Sequence, residues 1–207
     1  MPIAVTLILI LGVLIGFITI FIVRSLIAPK RLASLTELIK QGKAGVAIKH
    51  AKHILSKDSR NPEAHYLLGQ AYEIDGKQEL ALMEYKIVNQ ISQFGGYCPE
   101  IPFRNRIANL FQHFNQHEEA LKEYLLLIQA EPNKPKHYYN VGILFETRER
   151  SEKAVNYFRK AIEIDPRFGD AHYHLGYHLY RAKRPVEAKK ELDLAIRYSP
   201  ENYASYY

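Results

Sequence analysis

The chain has 207 residues, one cysteine, no tryptophan, ten prolines and eleven glycines, with 47% hydrophobic and 24% charged residues. This composition excludes a disordered or collagen-like chain, and a disulfide framework is excluded because Cys98 has no partner within the chain. Twenty-eight Lys and Arg against 22 Asp and Glu leave a net charge of +6, which raises nucleic acid or an anionic membrane as partner until the placement of the charges separates the two.

Residues Ile3 to Val23 run for 21 positions without a charge. At about 1.5 Å rise per residue such a helix spans roughly 30 Å, the thickness of a bilayer core. The pattern predicts a transmembrane anchor over residues 1–23 and not a cleaved leader, because no basic residue precedes the run and no small-residue cleavage site follows it. Arg24, Lys30, Arg31, Lys40 and Lys43 all follow the run, an asymmetry that puts the remainder of the chain on the cytoplasmic side. Arg24, Lys30 and Arg31 are the expected membrane-surface residues. Gly12 and Gly16 stand four residues apart and would let two such spans approach closely as a homodimer.

The basic excess is local. Residues 24–61 hold nine Lys and Arg against Glu37 and Asp58, a net of +7, whereas residues 62–207 sum to −1. A nucleic-acid-binding surface would spread its charge along the chain. Confined to the stretch leaving the apolar run, the excess points to an anionic lipid surface, and no nucleic acid partner is expected.

From residue 62 onward the chain repeats itself. Tyr138, Val141, Gly142, Phe145, Ala154, Phe158, Ala161 and Pro166 are followed 34 positions later by His172, Leu175, Gly176, Leu179, Ala188, Leu192, Ala195 and Pro200. Ile107, Ala108, Phe111, Ala120, Tyr124, Leu127 and Pro132 hold the same places one unit earlier, and Leu68, Gly69, Tyr72, Ala81, Tyr85 and Val88 precede them after a five-residue insertion. The resulting division is 62–95, an insertion at 96–100 (GYCPE), then 101–134, 135–168 and 169–202. A weaker unit, with Gly42, Ala47, Ala51 and Ile54 on the pattern, falls within 24–61. Each unit predicts two amphipathic helices joined by a short polar turn. The small residues mark where paired helices come too close for larger side chains, and Pro132, Pro166 and Pro200 end the second helices. Residues 203–207 read as the start of a further helix, so the chain is expected to continue beyond Tyr207.

This pattern resembles the tetratricopeptide-repeat family over about residues 28–207. The resemblance implies an all-α fold, an N-terminal transmembrane helix followed by a right-handed α-solenoid of helix pairs, whose first helices line a concave groove that binds peptides or protein segments. On that basis the peptide-binding groove is expected at Asn105, Arg106, Asn109, Gln112, Tyr139, Asn140, Tyr173, His174, Tyr177 and Arg181. Asn both donates and accepts hydrogen bonds to an extended backbone, and Tyr offers stacking area with a polar tip. The carboxylate clamp of one family subset matches only in part, because Asp170 and His174 stand where its last Lys and Arg belong.

Chemistry is not expected. Phosphate-cradling glycine loops, G-x-S-x-G and H-E-x-x-H are all missing, and no cofactor is implied. His113 with His117, and His174 with His178, have the spacing that puts two imidazoles on one helix face, but two ligands do not close a metal site. The expected function is a membrane-anchored scaffold or adaptor that binds partner segments at the cytoplasmic face. Its order of parts is similar to that of bacterial envelope-biogenesis adaptors of the same family. The alternatives are an organelle protein-import receptor, or the anchoring and regulatory part of a larger protein with a catalytic domain beyond residue 207.

Overall fold

The computed structural model describes the backbone of residues 3–203 and the side chains of residues 10–19 and 30–201. Eleven helices are present among the described residues: α1 (Ile3–Lys40), α2 (Ala44–Leu55), α3 (Pro62–Ile74), α4 (Gln78–Ile91), α5 (Glu100–His113), α6 (His117–Ala130), α7 (Pro135–Thr147), α8 (Ser151–Ile164), α9 (Gly169–Arg181), α10 (Pro185–Tyr198) and the short α11 (Pro200–Tyr203). The chain divides into two compact units, residues 1–100 and 101–207.

In the first unit, α1 runs unbroken from the apolar segment into the first helix of the weak repeat. Leu32, Leu35 and Ile39 on its last turns are buried, as are Ala47, Ala51 and Ile54 on α2. The weak unit is therefore a packed helix pair despite its degenerate motif. Its apolar positions are filled, and Leu or Ile burial of this kind contributes about 1.5–3 kcal/mol per side chain. Next come α3 and α4, with Gly69 against the ring of Tyr85. The α3 start is well specified: Pro62 needs no helical N–H partner, and the Asn61 side chain accepts from the Ala64 N–H at 2.8 Å.

The insertion closes on itself. Gly95 and Cys98 exchange backbone hydrogen bonds of 3.1 Å, and the Tyr97 N–H donates to Glu63 Oε1 at 3.0 Å. This seats Cys98 at 0% exposure, and burial, with the Glu63 charge adding to it, pushes its thiol up to about 12.

The second unit repeats the same construction three times. Phe103, Ile107, Phe111, Tyr124 and Leu127 fill the α5–α6 pair; Val141, Leu144, Phe158 and Ala161 fill α7–α8; Leu175, Leu179, Ala188 and Ala195 fill α9–α10. A Cβ added at Gly142 would lie 2.5 Å from Phe158 Cε1, and one at Gly176 would lie 2.7 Å from Leu192 Cγ. Glycine is required at these crossings by space, not by backbone angle.

The turn within each helix pair is also periodic. Gly42, Gly76, Asn115, Glu149 and Lys183 all have φ between 56° and 73°, and the residue after each donates its N–H to the carbonyl five positions before it, as Lys77 does to Tyr72 at 2.9 Å and Arg150 to Phe145 at 2.9 Å. This is the Schellman closure of a helix C-terminus. His113 and His117 flank the Asn115 turn, one ending α5 and the other opening α6. The expectation that they share one helix face is corrected, because the left-handed residue between them breaks the helix. His174 and His178 do share α9.

Among the described residues no helix is long and apolar enough to cross a membrane. The span expected at Ile3–Val23 falls largely on side chains outside the described residues, those of 3–9 and 20–23, and Arg24 lies outside them as well. Within 10–19, Ile10, Leu11, Val13, Leu14, Ile15, Phe17 and Ile18 are exposed, Phe17 at 69%, and a Cβ at Gly12 or Gly16 would meet nothing within 4 Å.

Candidate functional site

The expected groove residues lie on α5, α7 and α9, the first helices of the three pairs of the second unit. On α5 they are largely engaged with their own pair. The Asn105 amide donates to the Ile101 carbonyl at 3.0 Å, one turn back on the same helix. Tyr124 of α6 points its hydroxyl at Asn109 Oδ1 (2.7 Å) and Gln112 Oε1 (3.0 Å). A phenol has one proton to give, so the two amides compete for it, and both have their oxygen ends facing Tyr124. Burial pushes the Tyr124 hydroxyl well above its usual range, which keeps it a donor at any physiological pH. Arg106 is exposed, and Asn140 is half-buried beside Tyr139 on α7.

The α7 and α9 residues come together. Tyr139 packs edge-on to His174, with ring centroids 5.6 Å apart, and also against Phe158 and Phe168. Lys136 sits 4.4 Å above the Tyr139 ring. Burial, with the carboxylates of Asp170 and Glu146 adding to it, pushes the Tyr139 hydroxyl up to about 12.

Beneath this ring cluster lies Glu146, a residue that motif spacing did not single out. Its Oε2 is 2.9 Å from His174 Nδ1 and its Oε1 is 3.0 Å from His178 Nε2. Burial works against its charge, but the two imidazoles beside it outweigh that and hold its carboxyl down to about 2. One carboxylate of the α7–α8 pair thus ties down two imidazoles of the next pair. The signal was available: Tyr139, Ile143 and Glu146 continue one helix face at i, i+4, i+7. Both histidines thus lie against one carboxylate, and among the described residues no group of three His, Cys, Asp or Glu could hold a metal ion.

Glu146, His174 and His178 floor an open cleft of about 670 Å³, walled by Tyr173, Tyr177 and Arg181. Arg181 lies over the Tyr177 ring, 5.9 Å from its centroid, and also borders an adjoining cleft of about 580 Å³ that includes Val155, Arg159 and Leu179. The wall offers two phenols, a guanidinium and aromatic faces. It can stack on side chains and hydrogen-bond a backbone.

A second recurrent device was also missed. First-helix residues pair with second-helix carboxylates 19 positions on: His65 with Glu84 (2.6 Å), Arg104 with Glu123 (2.7 Å) and His172 with Glu191 (2.6 Å). His172 stands 34 positions after Tyr138 in the repeat, and His65 and His172 each also direct the second ring nitrogen at a backbone carbonyl, of Ser59 and Pro166 respectively. Both are buried, and these are ties within a helix pair.

A family model described as tetratricopeptide repeat matches residues 32–86 and 105–167, and a second model of the same description matches residues 148–207. The chain is 29% identical over 83 residues to small glutamine-rich tetratricopeptide repeat-containing protein 2 of Mycosarcoma maydis, a match covering 40% of this chain and 24% of that protein. It is 33% identical over 60 residues to a photosystem I assembly protein of Acaryochloris marina, covering 29% of this chain and 36% of that protein. The chain therefore spans well under half the length of the curated relatives it matches. Among solved structures it is similar to YrrB, described as a TPR protein with an unusual peptide-binding site, at a TM-score of 0.71 and 18% identity over 82% of this chain and 85% of that one. It is also similar to MamA of Desulfovibrio magneticus, at 0.70 and 20% identity over 84% and 96%. At these identities the likeness is one of fold.

Proposed function

The chain belongs to the tetratricopeptide-repeat family, and from that premise we propose that it is a membrane-anchored scaffold that binds a segment of a partner protein along α5, α7 and α9 on the cytoplasmic side. The observation that carries the binding reading is the open cleft of about 670 Å³ walled by Tyr173, Tyr177 and Arg181 over the Glu146 bridge. Its floor is packed, with the Glu146 carboxylate between His174 and His178, so a bound segment meets side chains already held by contacts within the fold. The Tyr walls supply contact area at small entropic cost, and the amide NH2 groups of Asn109 and Gln112, whose oxygens face Tyr124, add donors for a backbone.

The anchoring reading is supported by α1, whose described residues 10–18 expose apolar side chains on every side, and by the basic residues that follow the apolar run. A soluble amphipathic helix has one polar face; this segment has none. Gly12 and Gly16 leave the room a second span would need.

A photo-crosslinking amino acid at Asn109 or Asn140 tests the binding reading in cells. A discrete crosslinked protein from these positions, missing from a control at exposed Lys160 on α8, supports it. Identical patterns at all three positions, or none, would sink it.

A further inference from the structure

The apolar run and the first helix pair are one rigid piece, because α1 is helical from Ile3 to Lys40 and its last turns are packed through Leu32, Leu35 and Ile39. Lys30 and Arg31 follow the run by about two turns of that helix. The turn at residues 41–43 then reverses the chain, and α2, with 12 residues, returns about 18 Å alongside α1. Its end at Leu55 comes back to the level of residues near 29, and the loop 56–61 that follows faces the same way as the emerging anchor. The 34-residue repeat says the same thing independently, since Pro62 at the start of α3 corresponds to residue 28 of α1.

The side chains at this end carry an unbalanced charge. Lys30, Lys57 and Arg60 are exposed and Arg31 is half-buried, and among the described residues no carboxylate pairs with Lys30, Lys57 or Arg60. Asp58 accepts from the neutral Asn61 amide at 3.2 Å and keeps its charge, so Lys30, Arg31, Lys57 and Arg60 less Asp58 leave a net of +3 at this end, while Glu63 accepts from the Tyr97 N–H at 3.0 Å. Three unpaired cations from two separate stretches of sequence therefore share one end of the first unit.

We propose that Lys57 and Arg60 join Lys30 and Arg31 in a basic surface that rests on the anionic headgroups of the leaflet from which α1 emerges. The partner is a lipid surface and not a soluble anion, because the cations come from two separate stretches of sequence beside the apolar run and line none of the clefts described above. The consequence is orientational: the anchor sets the height of the first helix pair, and the loop cations, attracted within a Debye length of the charged leaflet, set its tilt. This inference rests on the anchoring reading.

The full chain is tested in vesicles, with a spin label on Ser59→Cys, between Lys57 and Arg60, or on Gln41→Cys at the opposite end of α1. Cys98 is buried and its thiol is held protonated, so it does not compete for the label. Flotation with purely zwitterionic vesicles tests the anchor alone. The expected result is flotation with both lipids, and about threefold lower collision of the residue-59 label with an aqueous relaxant when about 30% phosphatidylserine is present. The residue-41 label should not change, and Lys57→Ser with Arg60→Ser should abolish the protection. Flotation with equal accessibility at residue 59 on both lipids overturns the basic surface while leaving the anchor in place. Failure to float with zwitterionic vesicles overturns both.

Discussion

His65 shows how a single side chain couples packing to protonation. One ring nitrogen faces Glu84 at 2.6 Å and the other faces the Ser59 carbonyl at 3.0 Å, so only the imidazolium supplies a proton to both. Burial opposes that charge, but these hydrogen bonds and the charges of Glu84 and Asp58 outweigh it and raise the His65 pKa above 6.5. A raised folded value means the contribution is complete below the unfolded pKa and is lost as pH rises through the folded one. The stability gap between the native chain and Glu84→Gln should be largest just below the ordinary histidine value of 6.5 and narrow as pH rises above it, as read from urea midpoints; a gap that widens with pH refutes the assignment. Glu146 has the opposite sign. With its carboxyl held down to about 2 against an ordinary value of 4.5, its contribution is present above that ordinary value and disappears as pH falls between the two.

Gly142 is a residue-scale constraint of another kind. Phe158 is at 0% exposure and its Cε1 and Cδ1 would lie 2.5 and 2.7 Å from an added Cβ, so neither side can yield. Gly142→Val should cost about 1–3 kcal/mol in chemical denaturation, and adding Phe158→Leu should recover part of it. A neutral Gly142→Val would mean that the two helices can separate at no cost.

At the scale of the helix pair, five turns share one geometry and differ in how well their residue suits it. Gly42 and Gly76 take the left-handed conformation freely and Asn115 takes it easily, but Glu149 (φ 56°) and Lys183 (φ 58°) hold a Cβ against the following carbonyl. Glu149→Gly and Lys183→Gly should each stabilise the second unit by about 0.5–1 kcal/mol, the strain relieved less the entropy glycine adds to the unfolded chain. A lower urea midpoint for either variant would show that the turn is not strained. The ties 19 residues apart act at this scale too: Arg104–Glu123 joins α5 to α6 with both side chains mostly buried, at 13% and 6% exposure. Such a pair sets the alignment of its helices, because removing one partner strands the other charge away from water.

For the whole molecule, the division of labour follows charge and burial. Residues 10–18 contribute nothing to the packed core, whereas Leu32, Leu35 and Ile39 belong to it. Removing residues 1–29 should therefore leave the helical circular dichroism per residue of the remainder nearly unchanged and abolish flotation with zwitterionic vesicles. Continued flotation would place the attachment elsewhere in the chain. The repeat array itself, with a net charge of −1 over residues 62–207, has no general field to attract a partner, so recognition falls to local groups such as the Tyr and Arg walls of the α7–α9 cleft.

Periodicity alone was enough to specify the all-α helix pairs, the close glycine crossings and the stops at Pro132 and Pro166, because helix packing imposes small and large residues at fixed spacing and leaves a local trace. That Asn109, Tyr139 and His174 lie on the first helices of their pairs was legible for the same reason. What those side chains do was not. That Asn109 and Gln112 face Tyr124, that His174 and His178 share Glu146, and that His113 and His117 are parted by a left-handed turn all depend on groups brought together from different helices or on a backbone angle. The basic residues after α2 were visible only as a charge count, and the return of α2 alongside α1 is what assembles them at one end. Spacing along a helix is a one-dimensional property and can be read from sequence; the partner of a polar group lies across a helix interface, and its identity is decided only when the helices pack.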